Sequence, residues 1–198
     1  MKKNIKRSQS YEDNLEKIGN SVDNIKIINS FVSKEDCKKF INYTKDIDES
    51  VAPTQFDEKM NPVSWNSSFK MPNINEFTKY KIIVRSIVEK EYDIKVKNKS
   101  FGSIVRWDAG SKMAMHSDDT YTLRKDGTGV TENHHMSGLI YLNDDYEGGE
   151  IEFPQQKISI KPKTGDLIIF PGNINYPHEV KVITFGSRYT IPFWFEFN

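Results

Sequence analysis

From Lys95 onward the chain breaks into short runs rich in Val, Ile, Tyr and Phe, separated by clusters of Gly, Asn, Asp and Pro. The runs are Ser100–Trp107, Ser137–Leu142, Gly149–Phe153, Ile158–Ile160, Leu167–Phe170, Glu179–Ile183 and Arg188–Phe197. β-Branched and aromatic side chains suit a pleated, half-buried surface, and the runs are bounded by turn-forming residues as strands are. Six or more such strands in close succession predict a mainly β fold, an antiparallel sandwich or barrel.

The segment ahead of this core reads differently. Residues 1–23 are polar, with an isolated Leu15 and Ile18, and predict a flexible tail or a lightly docked arm before one domain over 24–198. Ile25, Ile27 and Ile28 suggest a strand. Ser33-Lys34-Glu35-Asp36 is a helix start, a capping hydroxyl followed by acids in the first turn. That helix should run to about Asp46, with Phe40 and Ile41, joined by Cys37 and Tyr43, on its apolar side. Glu49 to Pro72 holds three prolines and much Ser and Asn, and reads as loop; its Phe56, Trp65 and Phe69 either cover a site or anchor that loop. A second helix is expected from Asn73 to about Tyr92, because Phe77, Tyr80, Ile83, Val84, Ile87 and Val88 recur at three- and four-residue steps.

With 198 residues, the chain is long enough for one well-buried core and too short for two comfortable domains. Twenty-eight basic side chains balance 28 acidic ones, which removes the usual electrostatic argument for a nucleic-acid partner. The lone Cys37 rules out an intrachain disulfide and reads as a small buried apolar residue. The basic start Met1–Arg7 is not followed by an apolar stretch, and no window reaches the length of a membrane span, so a cytoplasmic protein with no membrane partner is expected.

Among the four histidines, His116-Ser117-Asp118 sets an imidazole and a carboxylate two residues apart, on one face if the segment is a strand. His178 opens an apolar strand and is the candidate third ligand. Two histidines and one carboxylate form a facial triad that leaves coordination positions open, as non-haem Fe(II) requires. Catalytic zinc also uses two histidines and an acid, so ligand types alone leave the metal open. His134 and His135 fall in a polar stretch, Asp119 to Met136, which has the length of a functional loop and carries Gly127 and Gly129.

Arg188 follows His178 by ten residues, after a turn at Thr184-Phe185-Gly186-Ser187. A tight hairpin would leave the two about five residues, or roughly 17 Å, apart at strand rise, too far for one small diacid to touch both. The connection must therefore cross from one sheet to the other. Arginine's planar fork binds a carboxylate through two hydrogen bonds, and Thr190, pointing the same way, can add a hydroxyl.

The chain resembles the prolyl 4-hydroxylase-like branch of the 2-oxoglutarate/Fe(II) oxygenases. The resemblance is carried by Ile27–Phe40, Arg106–Asp118, Leu139–Asn143, Gly148–Pro154, Pro162–Phe170 and His178–Phe195, and covers roughly residues 25 to 197. It implies a double-stranded β-helix (an eight-stranded jelly roll, cupin-like) with helices packed outside. It places His116, Asp118 and His178 on the iron ligands, Arg188 on the residue holding the far carboxylate of 2-oxoglutarate, and Tyr141 on a tyrosine that bonds to the same group. It implies Fe(II), with 2-oxoglutarate and O2 as cosubstrates, and leaves room for ascorbate. His134 and His135 match no family ligand. Trp107 stands where many relatives have tyrosine, Met113 where peptidyl hydroxylases often have an aromatic residue, and Arg188 where many collagen-type members have lysine. Because Asp118 is a carboxylate, and not Ala or Gly, no halide position is vacant, and hydroxylation is favoured. The implied substrate is a prolyl residue in a peptide or protein, the alternatives being a free amino acid or other small molecule, or a catalytically inactive binding module.

Overall fold

A computed structural model describes residues 8–56, 62–70, 75–100, 103–123 and 129–198. Two antiparallel sheets face each other as a jelly roll. The larger has eight strands and runs in the order Lys26–Ile28, Leu167–Pro171, Met136–Tyr141, Ser187–Phe197, Ser103–Asp108, Pro62–Lys70 and Glu49–Phe56. Val96–Ser100 joins it along the second half of Ser187–Phe197. The smaller sheet runs Ile158–Ile160, Ile151–Phe153, His178–Val180 and Met113–His116.

Ser187–Phe197 is the spine of the larger sheet. On one edge its register passes from Thr190 opposite Val105 to Trp194 opposite Ser100, and Pro192 sits at this hand-over between two neighbours. A proline, which has no N–H to donate, is tolerated where a ladder is interrupted.

Helices cover the outer face of the larger sheet. Helix α1 is Gln9–Ile18, α2 is Lys34–Tyr43 and α3 is Asn75–Tyr92. Phe77, Val84 and Val88 of α3 are buried with Ile140 and Phe193 of the sheet. Gly138 permits this approach, since a Cβ there would lie 3.2 Å from Val84 Cγ1. The Ser33 cap forms as the sequence predicts, its hydroxyl accepting the Asp36 N–H at 3.0 Å, and Cys37 is fully buried. A second core lies between the sheets, around Tyr141, Ile151, Phe153, Ile168, Phe170 and Tyr176. No helix among the described residues is long and apolar enough to cross a membrane.

Three segments differ from the sequence reading. Residues 9–18, expected within a flexible tail or a lightly docked arm, form α1: Ser8 caps it, Gly19 at φ 66° ends it, and Tyr11 and Ile18 are buried. Tyr11 completes, with Leu15 and Ile18, an i, i+4, i+7 stripe that the two aliphatic residues alone do not reveal. The Glu49–Pro72 segment, expected as loop, supplies two strands of the larger sheet. Two of its prolines are compatible with pairing because Pro53 lies on the edge strand and Pro62 opens the next one, and Pro72 lies outside the described residues. Phe69 anchors this pair in the core, whereas Trp65 is exposed; the side chain of Phe56 lies outside those described. The stretch after Asp119 pairs Thr120–Leu123 with Gly129–Glu132, and Gly127 lies outside the described residues.

Candidate metal centre and facing guanidinium

His178 and His116 stand opposite each other in the register of the strands His178–Val180 and Met113–His116. Pairing across the smaller sheet therefore brings together imidazoles far apart in the chain. Asp118 is not on the strand: it follows His116 in a bend, and the bend turns its carboxylate back toward both rings. Asp118 Oδ1 lies 3.4 Å from His116 Nε2 and 3.8 Å from His178 Nε2. Both distances are below the ~4.2 Å that two ligands at about 2.1 Å from one ion can span. One candidate ligand atom from each of the three residues lies within 4.8 Å of the others.

Hydrogen bonding orients the rings for this task. His116 Nδ1 faces the Ala114 carbonyl at 2.9 Å, and His178 Nδ1 faces the Tyr176 carbonyl at 3.2 Å. A carbonyl only accepts, so each Nδ1 carries a proton, which leaves each Nε2 as the atom that would meet a metal ion. Burial works against charge on Asp118, yet the hydrogen bond from His116, the charges of both imidazoles and the Ser137 hydroxyl hold its carboxyl down to about 2. Burial is also the largest influence on His178 and depresses its basicity. For His116 burial acts in the same sense, but hydrogen bonding and charge from Asp118 prevail and raise its pKa. A carboxylate between two imidazoles that expose Nε2 is a donor set suited to a divalent cation.

The opposite wall comes from the larger sheet. After His178–Val180 the chain leaves the smaller sheet, pairs briefly as Ile183–Phe185 with Glu147–Gly148, and enters Ser187–Phe197. This is the crossing that the His178–Arg188 spacing demands. Arg188 is almost fully buried, with Nη2 donating to the Tyr141 hydroxyl at 3.0 Å and the guanidinium carbon 5.8 Å from the Trp107 ring centre. Its Nε is buried with no hydrogen-bond partner. Such a donor costs on the order of 1–3 kcal/mol if left unmet, so the site is built to receive an acceptor.

His116, Asp118, His178, Arg188 and Thr190 all line one cavity of about 200 Å³. Tyr141 does not line it and reaches the site through the guanidinium. Trp107, Met113 and Trp194 make much of the remaining wall apolar, with Asn66 adding an amide.

The model of the 2OG-Fe(II) oxygenase superfamily matches residues 102–196, a span that contains all of these residues except Asn66. This match supports a 2-oxoglutarate/Fe(II) oxygenase. Prolyl 3-hydroxylase 2 from Rattus norvegicus is 44% identical over 64 residues, covering 30% of this chain and 9% of that protein, and the Homo sapiens protein matches equally. The chain thus aligns with a small part of these much longer relatives. Among solved structures, the viral collagen prolyl hydroxylase from Paramecium Bursaria Chlorella virus-1 superposes with a TM-score of 0.64 at 18% identity, covering 88% of this chain and 96% of that one. A Pseudomonas putida prolyl-4-hydroxylase gives 0.63 at 15% identity, covering 88% and 93%. A Trichoplax adhaerens prolyl hydroxylase in complex with a hypoxia inducible factor peptide fragment gives 0.58 at 15%, covering 96% and 94%.

The match to the oxygenase superfamily model implies Fe(II), 2-oxoglutarate and O2 as cofactor and cosubstrates. The residues present fit them: the donor set suits the iron, and the orphaned Arg188 Nε suits a carboxylate.

Several supporting residues of this site are not legible in the sequence. Ser137 donates its hydroxyl to Asp118 Oδ2. Gly172 packs beneath Asp118, where any Cβ would fall 2.0 Å from the His134 carbonyl oxygen. Tyr146 is buried beside Arg188; burial raises its phenol pKa, against the pull of the arginine charge. Gly149 makes room for both, since a Cβ there would lie 3.1 Å from Tyr146 Cε2 and 3.4 Å from Arg188 Cδ. His134 stacks on Trp194 at 4.9 Å, while His135 is buried and accepts the Phe197 N–H at 2.9 Å. Neither belongs to the ligand cluster.

Proposed function

We propose that the chain is an Fe(II)- and 2-oxoglutarate-dependent hydroxylase acting on a prolyl residue of a peptide or protein. The observation that carries this reading is the single cavity with the His116–Asp118–His178 cluster on one wall and a buried, acceptor-seeking Arg188 on the other. In this reading His116, Asp118 and His178 hold the iron, and Arg188 holds the distal carboxylate of 2-oxoglutarate. Tyr141 holds the guanidinium through its hydroxyl, and Thr190 adds a hydroxyl to the same cavity. When bound, iron with 2-oxoglutarate and O2 supplies the chemistry that converts a C–H to C–OH, with succinate and CO2 as coproducts. The chain's own part is to bind, to orient and to keep the cavity dry, through Trp107, Met113 and Trp194.

A prolyl substrate is supported by the names of the relatives, and a peptide by the fragment bound to the Trichoplax adhaerens neighbour. The apolar wall suits a pyrrolidine ring, and the Asn66 amide suits a peptide group. Succinate formation by the purified protein with Fe(II) and 2-oxoglutarate, screened over proline-rich peptides, free amino acids and nucleic acid, tests the proposal. Turnover with peptides and a gain of one oxygen on proline support it. Turnover confined to free amino acids replaces the substrate, and no turnover on any of them removes the enzyme reading.

A further inference from the structure

The bend that carries Asp118 is irregular backbone, and something outside the strands must hold it. Three contacts do so. Ser137 bonds the Asp118 carboxylate; the Asp119 N–H donates to the Gly172 carbonyl at 2.8 Å; and the Tyr11 hydroxyl of α1 donates to Asp119 Oδ2 at 2.5 Å. The third comes from a helix distant in sequence. Tyr11 is fixed there by its ring, which meets His135 edge-on at 4.8 Å and lies 5.8 Å from Phe197. The backbone ladder closes on the same spot, since the Gly172 N–H donates to the His135 carbonyl at 2.9 Å.

The segment just after α1 touches the other side of the metal centre. Tyr176 is fully buried, and its hydroxyl lies 3.1 Å from both the Gly19 and the Ser21 carbonyls. The Tyr176 carbonyl is the group that accepts His178 Nδ1–H. Residues 8–24 therefore bear on two of the three candidate ligands by separate routes, through Asp119 to Asp118 and through Tyr176 to His178.

We propose that the N-terminal segment is part of the metal centre, with Tyr11 a positioning residue that sets the Asp118 carboxylate through its hydrogen bond to Asp119. The proposal rests on the reading of His116, Asp118 and His178 as metal ligands. The preceding superfamily match begins at residue 102 and assigns nothing to this helix. Metal affinity should respond because a ligand held in place before the ion arrives loses less freedom on binding.

Tyr11→Phe tests this with little disturbance, since the ring contacts with His135 and Phe197 are kept and only the hydroxyl is removed. Co(II) is the probe, titrated anaerobically by its visible absorption, with far-UV circular dichroism and the thermal midpoint recorded on the same samples. Wild type should take up one Co(II). Tyr11→Phe should bind it about three- to tenfold more weakly with a changed absorption envelope, less than the roughly 10- to 100-fold typical of a partner bonded to a ligand itself, because Tyr11 acts through Asp119. Asp119→Ala should do the same, the double variant should be no worse than either single one, and Asp119→Asn, which keeps an acceptor, should recover part of the affinity. Ser8→Ala, which removes only the helix cap, serves as control and should leave Co(II) binding unchanged.

Wild-type affinity in a folded Tyr11→Phe protein overturns the role of Tyr11. So does an equal loss in Ser8→Ala, because helix docking in general would then be responsible. Should Tyr11→Phe fail to fold, the contrast between Asp119→Asn and Asp119→Ala decides, and equal Co(II) affinity in those two overturns the proposal. A wild-type protein that takes up no Co(II) removes the metal centre itself, a result distinct from any of these.

Discussion

Arg188 and Tyr141, on adjacent strands of the larger sheet, are joined by a 3.0 Å hydrogen bond inside the protein, with the Arg188 Nε left unpaired. The bond uses one edge of the guanidinium and leaves another donor for a ligand. Charge-assisted hydrogen bonds contribute about 1.5–3 kcal/mol, or roughly 10- to 150-fold in affinity. Arg188→Ala should weaken 2-oxoglutarate binding by a factor in that range while changing metal affinity little. Tyr141→Phe should cost less than Arg188→Ala, since it removes a bond that holds the guanidinium and not one that reaches the ligand. Calorimetric titration of each ligand separates the effects, and a defect mainly in metal binding would contradict the role given to Arg188.

The triad can be tested without any substrate. His116→Ala or Asp118→Ala should abolish succinate release, including the slow uncoupled turnover of 2-oxoglutarate alone, and leave the far-UV circular dichroism spectrum unchanged. Wild-type succinate release by either variant would exclude that residue from the centre.

Gly172 offers a steric test of how tightly the Asp118 bend is packed. A Cβ there would sit 2.0 Å from the His134 carbonyl oxygen and 3.2 Å from Asp118 Cβ. The carbonyl is backbone and cannot rotate away, so Gly172→Ala must push two segments apart. Overpacking of this kind costs about 1–3 kcal/mol, which in a chain of this length lowers the melting midpoint by about 2–12 °C. Metal affinity should fall with it. An unchanged midpoint would show that the segments are not held as closely as described.

Cys37 links burial to alkaline stability. Burial, aided by the neighbouring Asp36 charge, pushes its thiol from 9.0 up to about 11. The folded protein thus favours the neutral thiol more than the unfolded chain does. Its contribution is complete below pH 9, and it is lost progressively as pH rises from 9 to 11, where the unfolded chain sheds the proton first. Cys37→Ala should flatten the decline in stability over that window, as read by denaturant midpoints at successive pH values. Native Cys37 should also react slowly with thiol reagents at pH 8, and fast labelling would show that it is accessible.

Much was legible along the chain because it depends on neighbours within a few residues. The Ser33 cap, the α3 stripe and the β-rich character from Lys95 onward are local patterns, and the structure contains all three. The spacing of His178 and Arg188 even required a change of sheet, which the path through Ile183–Phe185 makes. The edge position that makes Pro53 harmless is a property of the whole sheet, so Glu49–Phe56 reads as loop until its neighbours are known. Likewise, the Tyr11 stripe has meaning only once His135 and Phe197 are present to bury it.

By itself, then, the sequence determined the kind of chemistry the chain can carry, since two imidazoles, one acid and one arginine at an apolar strand are set by composition and order alone. Only the tertiary structure decided that His116 and His178 share one register, that Asp118 reaches them from a bend, and that Arg188 faces them across one cavity. The reason is the range of the forces involved. Capping and periodicity act within one or two turns, whereas pairing register and sheet-to-sheet packing join residues far apart in the chain.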